Sequence, residues 1–389
     1  MRAPASQDLA FLEGIRDVVQ IATLEAASVD RAARFPKEAI AALRSAKALS
    51  AYVPPYLGGG GVSFPTLAEG CFELGRACAA TGMVFAMHQI QVGSIVRHHR
   101  GSAPFERYLE ELSERQLLIA SATSEVGVGG DLRTSIAAAS DSDGLLEFEK
   151  RAPTISYGAE ADDLLVTVRR APDADPSDQI LVLVREEQRE LEQISEWDTL
   201  GMRGTCSPGF VVRARIDRSQ VLPVAFSEIA TQTMVSFSHI LWAHVWLGIA
   251  TSAYDCARAR VRDQARRDPG VMPPQAVRLS ELATLVYRLR SEVKVVTDEY
   301  NGILEHGDAQ DALFTVGYAI QVNSLKISAS ELAPQICTLA LAICGMAGYQ
   351  NGTPFSVGRH VRDALSAGLM IGNDRIHSTD ASLLLVHKG

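Results

Sequence analysis

Four side chains in this sequence have the chemistry of a general base, and none of them stands in a common catalytic motif. Asp374 lies in GNDRI near the end of the chain, His239 and His244 lie five residues apart in an apolar Trp-containing stretch, and His88 lies in AMHQIQ. A positioned carboxylate or imidazole can remove a proton from a substrate. Each also has a structural interpretation, because core histidines commonly bond to backbone carbonyls and Asn-Asp pairs commonly turn or cap the chain.

Several familiar sites are excluded by spacing. GTCSPG lacks the GxSxG pattern of a hydrolase nucleophile elbow, and GVGGDL lacks the third glycine of a Rossmann dinucleotide fingerprint. No histidines or cysteines have a metal-ligand spacing such as HExxH, so we predict no metal. The six cysteines include no CxxC pair and indicate reduced thiols.

The elements that must position these residues change along the chain from helical to β and back to helical. Apolar residues recur at helical spacing in the first part, as at Leu9, Leu12 and Ile15. From about Leu117, short β-branched runs alternate with Gly, Asp, Pro and Ser, and from about Ala225 long helical patterns return. Long helices joined by short turns pack most simply as an antiparallel bundle. We predict a multidomain α+β protein with an all-α domain at 1–117, a β domain at 118–224 and a helical bundle at 225–389.

The charge and apolar patterns narrow the class of partners. A net charge of −9 without a long basic run argues against nucleic-acid binding. The first residues lack the apolar core of a signal peptide, and we expect no membrane span. The sequence therefore predicts a cytoplasmic protein that acts on small molecules or on other proteins.

Five motifs in order resemble those of the acyl-CoA dehydrogenase family of flavoproteins. They are FPKEAIAALRSAKALSAYVPPYLGGGGVS, SATSEVGVGGDLRTS, ISYGAEADDLLVTV, LGMRGTCSPGFVV and ICGMAGYQNGTPFSVGRHVRDA. The resemblance covers nearly the whole chain. It implies an N-terminal helical domain, a central β-barrel-like domain and a C-terminal four-helix bundle.

The resemblance also implies non-covalently bound FAD and a homo-oligomer, a dimer or tetramer, in which a neighbour contributes to the cofactor site. The residues it assigns to the cofactor are Thr123, Ser124, Gly129, Gly130, Ile155, Ser156 and Gly345. The two adjacent glycines would let backbone amides approach a phosphate. Some positions depart from the family pattern: Thr154 replaces its aromatic residue, Tyr157 its asparagine and Met346 its second glycine.

The most consequential departure is the missing catalytic base. The family's glutamate commonly stands nine residues after the Arg of its RD motif, and the residue nine places after Arg362 is Ile371. The alternative position of the glutamate, at the start of the first bundle helix, corresponds to about Ser238. Neither side chain can take a proton. The backbone N–H of Ile371 can still polarise a thioester carbonyl, because that donor does not depend on the side chain.

Three functions are compatible with this pattern. The first is oxidation of an acyl thioester, on coenzyme A or on an acyl carrier protein of secondary metabolism, with the base moved to Asp374, His239 or His244. The second is a flavin monooxygenase of the same fold, in which His88 and Ser156 would hold the oxygen species and an external reductase would supply electrons. The third is binding of a thioester or flavin without turnover.

Overall fold

A computed structural model describes residues 5–129 and 131–386, and its elements run helical, β and helical. The N-terminal part has five helices, which are α1 (Ser6–Ala32), α2 (Lys37–Ser45), α3 (Phe64–Ala77), α4 (Ala79–His98) and α5 (Ala103–Arg115). In α1 the buried residues Phe11, Ile15 and Val18 recur at helical spacing and face α3. Almost every residue of α4 is buried, so this helix lies inside the molecule.

The middle part consists of two sheets. Its strands are β1 (Ile119–Ala122), β2 (Ser140–Ser142), β3 (Leu145–Ala152), β4 (Asp163–Arg169), β5 (Gln179–Arg185), β6 (Arg189–Gln193) and β7 (Phe210–Asp217). One sheet has the order β1-β4-β5, with β1 parallel to β4, and the other has the order β2-β3-β7-β6 and is antiparallel. Strands β4 and β5 are buried on both faces, whereas β3 alternates between buried and more exposed residues.

The C-terminal part is built on three long helices. They are α7 (Val235–Arg267), α8 (Ala276–Glu305) and α9 (Val316–Cys344), preceded by α6 (Phe226–Ile229) and a π-helical turn, Ala230–Met234. The short helices α10 (Met346–Tyr349), α11 (Gly358–Leu365) and α12 (Asn373–Leu384) follow. The bundle thus ends in a further helix, α12, beyond the segment HVRDAL.

One continuous hydrophobic core extends through all three parts. The reason is that α7 packs against α3 of the first part as well as α9, and α4 packs against β1. Gly75 and Gly248 permit the close approach of α3 and α7, since an added Cβ at Gly75 would lie 2.6 Å from the Val245 carbonyl oxygen. We retain 1–117, 118–224 and 225–389 as a proposed division of the chain.

Two helical stretches are long and apolar enough to cross a bilayer by length and composition alone. They are Phe226–Arg267 and Val316–Cys344. In the fold, 94% of the apolar window of the first is buried and 50% of the second. Such burial is typical of the core helices of a bundle. Length and composition alone are therefore only weak evidence for a membrane span.

Candidate active site

The loop after β1 and the segment after β3 lie together at the edge of the β part. The Ser124 hydroxyl donates a hydrogen bond to the Thr154 carbonyl at 2.9 Å, and the Ser207 hydroxyl donates to Ser156 Oγ at 2.9 Å. The Ile155 side chain is fully buried, which leaves only its backbone for contacts outside the core. The structure therefore brings the segment that contains Ser124 against the segment that contains Ile155 and Ser156. Thr123 immediately precedes Ser124 in the chain.

A buried ion pair between Glu125 and Lys150 anchors the loop after β1. The Glu125 carboxylate accepts hydrogen bonds from Ser135 Oγ at 2.6 Å and from the Ala137 N–H at 2.6 Å, and lies 3.5 Å from Lys150 Nζ. Burial lowers the pKa of Lys150 to about 8, although the charge of Glu125 opposes that shift. The sequence analysis missed this pair. The sequence did contain an indication of it, because Lys150 follows Leu146 and Phe148 at alternate positions, on the face of β3 that is expected to be buried.

The glycine segment contacts the C-terminal end of the chain. Gly129 has φ 60°, a conformation that favours glycine, and its carbonyl accepts a hydrogen bond from the Arg375 guanidinium. Arg375 also lies 3.8 Å from Asp131. Gly130, the other predicted glycine, lies outside the described residues. Residues around 371–375 are thereby joined to the predicted phosphate loop.

The position of the missing base is a turn held by a lysine. Ile371 has φ 50° and is 37% exposed, and its carbonyl accepts a hydrogen bond from Lys326 Nζ at 2.7 Å. The same amine donates to Asn373 Oδ1 at 2.7 Å. Burial lowers the pKa of Lys326 to about 8. No acceptor among the described residues takes the N–H of Ile371, which remains available to a ligand.

The alternative base position also lacks an acid. Ser238, on α7, is buried, and its hydroxyl donates to the Met234 carbonyl at 2.6 Å. Trp242 lies one turn further along the helix and so shares its face. Its indole N–H is buried without a partner in the described part of the chain. This face of α7 offers a hydroxyl and an indole, which are hydrogen-bonding groups rather than proton acceptors of useful basicity.

The histidines considered as bases have structural surroundings. His88 is fully buried, with Nε2 2.8 Å from the Leu49 carbonyl and Nδ1 accepting the Ile119 N–H at 3.0 Å. His239 Nδ1 lies 3.3 Å from the Val322 carbonyl, and His244 Nδ1 lies 2.9 Å from the Ile240 carbonyl. Burial lowers the pKa of all three to between about 3 and about 4. These weakly basic imidazoles therefore have structural hydrogen bonds in the core. A catalytic role for His88 is not supported, because both of its ring nitrogens are occupied.

Asp374 lies in the first turn of α12 and is exposed. A carboxylate there interacts favourably with the partial positive charge at the helix N-terminus, a stabilising role that needs no substrate. In the part of the chain that the structure describes, Asp374 therefore lies at the surface and not in the enclosed surroundings typical of a catalytic carboxylate.

Replacing this carboxylate should therefore leave the chemistry intact. We expect Asp374→Asn to keep the turnover rate within about twofold of the unmodified chain and to cost less than about 1 kcal/mol of stability. Steady-state oxidation assays and urea unfolding would check both values. A fall of about a hundredfold or more in rate, the size typical of a lost general base, would identify Asp374 as the base.

Comparison with known proteins identifies the family of this chain. The model of the acyl-CoA dehydrogenase N-terminal domain matches residues 6–136, and that of the C-terminal domain matches residues 229–381. The chain belongs to the acyl-CoA dehydrogenase family. Its fold is the helical, β-sheet and helical arrangement of that family, as the five sequence motifs predicted.

Relatives within the acyl-CoA dehydrogenase family include both dehydrogenases and oxygenases. The chain is 26% identical to cyclohex-1-ene-1-carbonyl-CoA dehydrogenase of Geobacter metallireducens, over 94% of each chain. It is 25% identical to dibenzothiophene monooxygenase of Mycolicibacterium goodii, over 79% of this chain and 77% of that one. The crystal structure of FMN-bound TdsC from Paenibacillus sp. A11-2 superposes with a TM-score of 0.84 at 20% identity, covering 97% and 98% of the two chains, and shows the fold alone.

Acyl-CoA dehydrogenase family members are flavin-dependent enzymes, and residues of this chain fit a flavin. Ser124 and Ser156 present hydroxyls at the edge of the β part, and the Gly129 N–H has no acceptor among the described residues. Gly345 has φ 60° and ψ −142°, a combination almost confined to glycine, and an added Cβ there would meet nothing within 4 Å. Among the predicted cofactor residues that the structure describes, Ser124 and Ser156 present hydroxyls, the Gly129 N–H has no acceptor and Gly345 has open space where a Cβ would stand. Ile155 is buried, and the histidines considered as bases lie against backbone carbonyls.

Proposed function

We propose that this chain is a flavin-dependent monooxygenase, which uses reduced flavin and O2 to oxygenate a small organic substrate. The observation that supports it is the turn at Ile371, where an apolar side chain and a lysine-bound carbonyl occupy the place of the family's carboxylate. A dehydrogenase must remove a carbon-bound proton, and loss of a positioned base costs about 10² to 10⁴ in rate. Oxygen transfer from a reduced flavin places no such demand on this position.

The cofactor we propose is FAD. When bound, the flavin supplies the redox chemistry, and this chain binds and orients it. We infer that the hydroxyls of Ser124 and Ser156 hydrogen-bond its polar edge, and Gly345 stands where the resemblance assigns the adenine dinucleotide. The FMN named in the TdsC structure makes FMN the alternative form.

Acyl-thioester oxidation is the second candidate, and two observations favour it. The dehydrogenase from Geobacter metallireducens matches over nearly the whole chain, and the Ile371 N–H is free to polarise a thioester carbonyl. The substrate would be carried on coenzyme A or on an acyl carrier protein, with a separate electron acceptor. Binding of a thioester or flavin without turnover is the remaining outcome.

Assembly from several copies, a dimer or tetramer, belongs to the same proposal. Large apolar side chains are exposed on the C-terminal part, among them Met346 at 68%, Tyr349 at 72%, Leu369 at 82% and Leu385 at 88%. Exposed large apolar side chains can mark protein–protein contacts where they form a patch. Met346 and Tyr349 follow Gly345 closely in sequence, so we infer that a neighbouring copy lies near the proposed adenine side of the cofactor.

Isotope labelling tests the oxygenase proposal. Flavin-loaded protein would be supplied with an NADH-dependent flavin reductase, ¹⁸O₂ and two probes, dibenzothiophene and the indole held in another TdsC structure. We expect one labelled oxygen atom in the oxidised probe and the other in water. Unlabelled product, or probes left intact by a protein whose flavin is reduced directly by a thioester, would contradict the proposal.

A further inference from the structure

The turn at the position of the family's base contains a backbone conformation that needs support. Ile371 has φ 50°, in the left-handed region, where the Cβ of an L-residue crowds its own backbone. A β-branched side chain makes that conformation a clear outlier. Residues held in this way persist when surrounding contacts over-determine them, and they concentrate at functional sites.

The supporting contacts come from one buried lysine on α9. Lys326 has no exposed surface, and its amine donates to the Ile371 carbonyl and to Asn373 Oδ1, both at 2.7 Å. Asn373 Nδ2 in turn donates to Ser330 Oγ at 3.0 Å, one turn further along α9. The residues on both sides of Gly372 are thereby tied to the same helix.

This arrangement is unusual because the lysine holds backbone and amide oxygens instead of a carboxylate. Among the described side chains of residues 5–129, 131–306 and 311–386, no Asp or Glu oxygen lies within 4.0 Å of the Lys326 amine, and Glu331, which lies 3.5 Å from Asn373 Nδ2, is exposed. A buried ammonium without an acid partner is costly, so the hydrogen bonds that it makes must offset that cost. A methionine at this position would fill similar space but donate to neither oxygen.

We infer that Lys326 is a positioning residue of the active site: it clamps Ile371 in the left-handed conformation and so fixes the free Ile371 N–H beside the substrate. The inference rests on the proposed function, because it assumes that this turn borders the reacting substrate. Asn373 is the second part of the clamp. At the position where the family has its carboxylate, this chain keeps only the backbone N–H, and the position of that N–H depends on Lys326.

A double-substitution cycle tests the clamp without requiring turnover. Hydrogen exchange would be followed by mass spectrometry in peptides covering 369–376, where the Arg375 N–H donates to the Gly372 carbonyl at 3.0 Å. We expect Lys326→Met to speed exchange about tenfold or more, a factor that corresponds to about 1.4 kcal/mol. Ile371→Gly relieves the conformational strain, so Lys326→Met should have less than about a threefold effect in that background.

Two further variants keep the test decisive. Lys294→Met removes an exposed lysine paired with Asp298 on α8 and should leave exchange in 369–376 unchanged. Asn373→Ala removes one of the two clamp acceptors and should give an intermediate increase, which decides the matter if Lys326→Met does not fold. Equal exchange in Lys326→Met, Asn373→Ala and Lys294→Met would overturn the clamp.

The reaction supplies the second readout. With reduced flavin, O2 and dibenzothiophene, Lys326→Met should divert at least about five times more of the flavin's electrons to hydrogen peroxide than Lys294→Met does, at unchanged flavin affinity. Faster exchange with unchanged product yield would overturn the positioning role. Failure of the proposed function would give a different result. The unmodified chain itself would then oxygenate neither probe, whereas Lys326→Met would still speed hydrogen exchange in residues 369–376.

Discussion

Acidification from about pH 7.5 to about pH 5 is expected to lower the free energy of unfolding by roughly 5 to 10 kcal/mol, an amount comparable with the whole stability of a typical domain. The cause is a set of buried imidazoles whose pKa burial lowers to about 4 or about 3. They are His88, His98, His239, His244 and His360.

The direction follows from proton binding. Each imidazole is neutral when folded and takes up a proton near pH 6.5 once unfolded, so the unfolded chain binds more protons between about pH 4 and about pH 6.5. Its stabilising contribution is complete above that range and is lost as the pH falls, by about 1.4 kcal/mol per pH unit for each group. Asp363 opposes the trend, because burial raises its pKa to about 6, but one carboxyl offsets only one imidazole.

Urea unfolding at a series of pH values would measure the slope, and one pair of variants would assign it. His244 makes a single hydrogen bond, to a carbonyl of its own helix, so His244→Leu should fold and should reduce the slope by about one proton. His377→Leu removes an exposed imidazole and is the matched control for the loss of a histidine. Identical slopes in both variants would show that buried histidines do not govern acid stability.

Lys150→Met is expected to destabilise the fold by about 3 to 5 kcal/mol, because it leaves the buried Glu125 carboxylate without its cation. The loss should also loosen the loop that leads to Gly129, since Glu125 binds the Ile136 and Ala137 N–H groups that end it. Thermal unfolding and retention of flavin after gel filtration would record the two effects.

Lys294→Met is the matched control for this substitution too, because the Lys294–Asp298 pair is exposed and spaced four residues apart on a helix. Its cost should stay within about 0.5 kcal/mol. If Lys150→Met cost no more than the control, the Glu125–Lys150 pair would not be what holds the loop.

Local sequence patterns predicted the parts of this protein that depend on neighbours in the chain. The helical spacing of Leu9, Leu12 and Ile15 falls within α1, although Leu9 is exposed and the buried face is formed by Phe11, Ile15 and Val18. The β-branched run of β5 and the motifs around Ser124 and Ser156 also correspond to elements of the fold. These features repeat over a few residues, and their physical cause is equally local.

Contacts between distant segments were not predictable in the same way. Lys326 and Ile371 are separated by 45 residues, and neither helical spacing nor composition indicates that the amine of one binds the carbonyl of the other. His88 illustrates the converse, because an apolar helix is compatible with a catalytic or a core histidine, and only its bonds to Leu49 and Ile119 distinguish them. The hydrogen-bond partners that the fold brings to a histidine therefore decide whether its role is catalytic or structural.

The central claim is that this member of the family lacks the base for thioester oxidation and uses oxygen instead. Its most direct test is an anaerobic titration of the flavin-loaded protein with acyl-CoA and acyl-carrier-protein thioesters, followed at the visible absorption band of the flavin. We predict that the flavin stays oxidised with every thioester in the absence of a reductase. Bleaching by any of them would contradict the claim and make this chain a dehydrogenase with a substitute base.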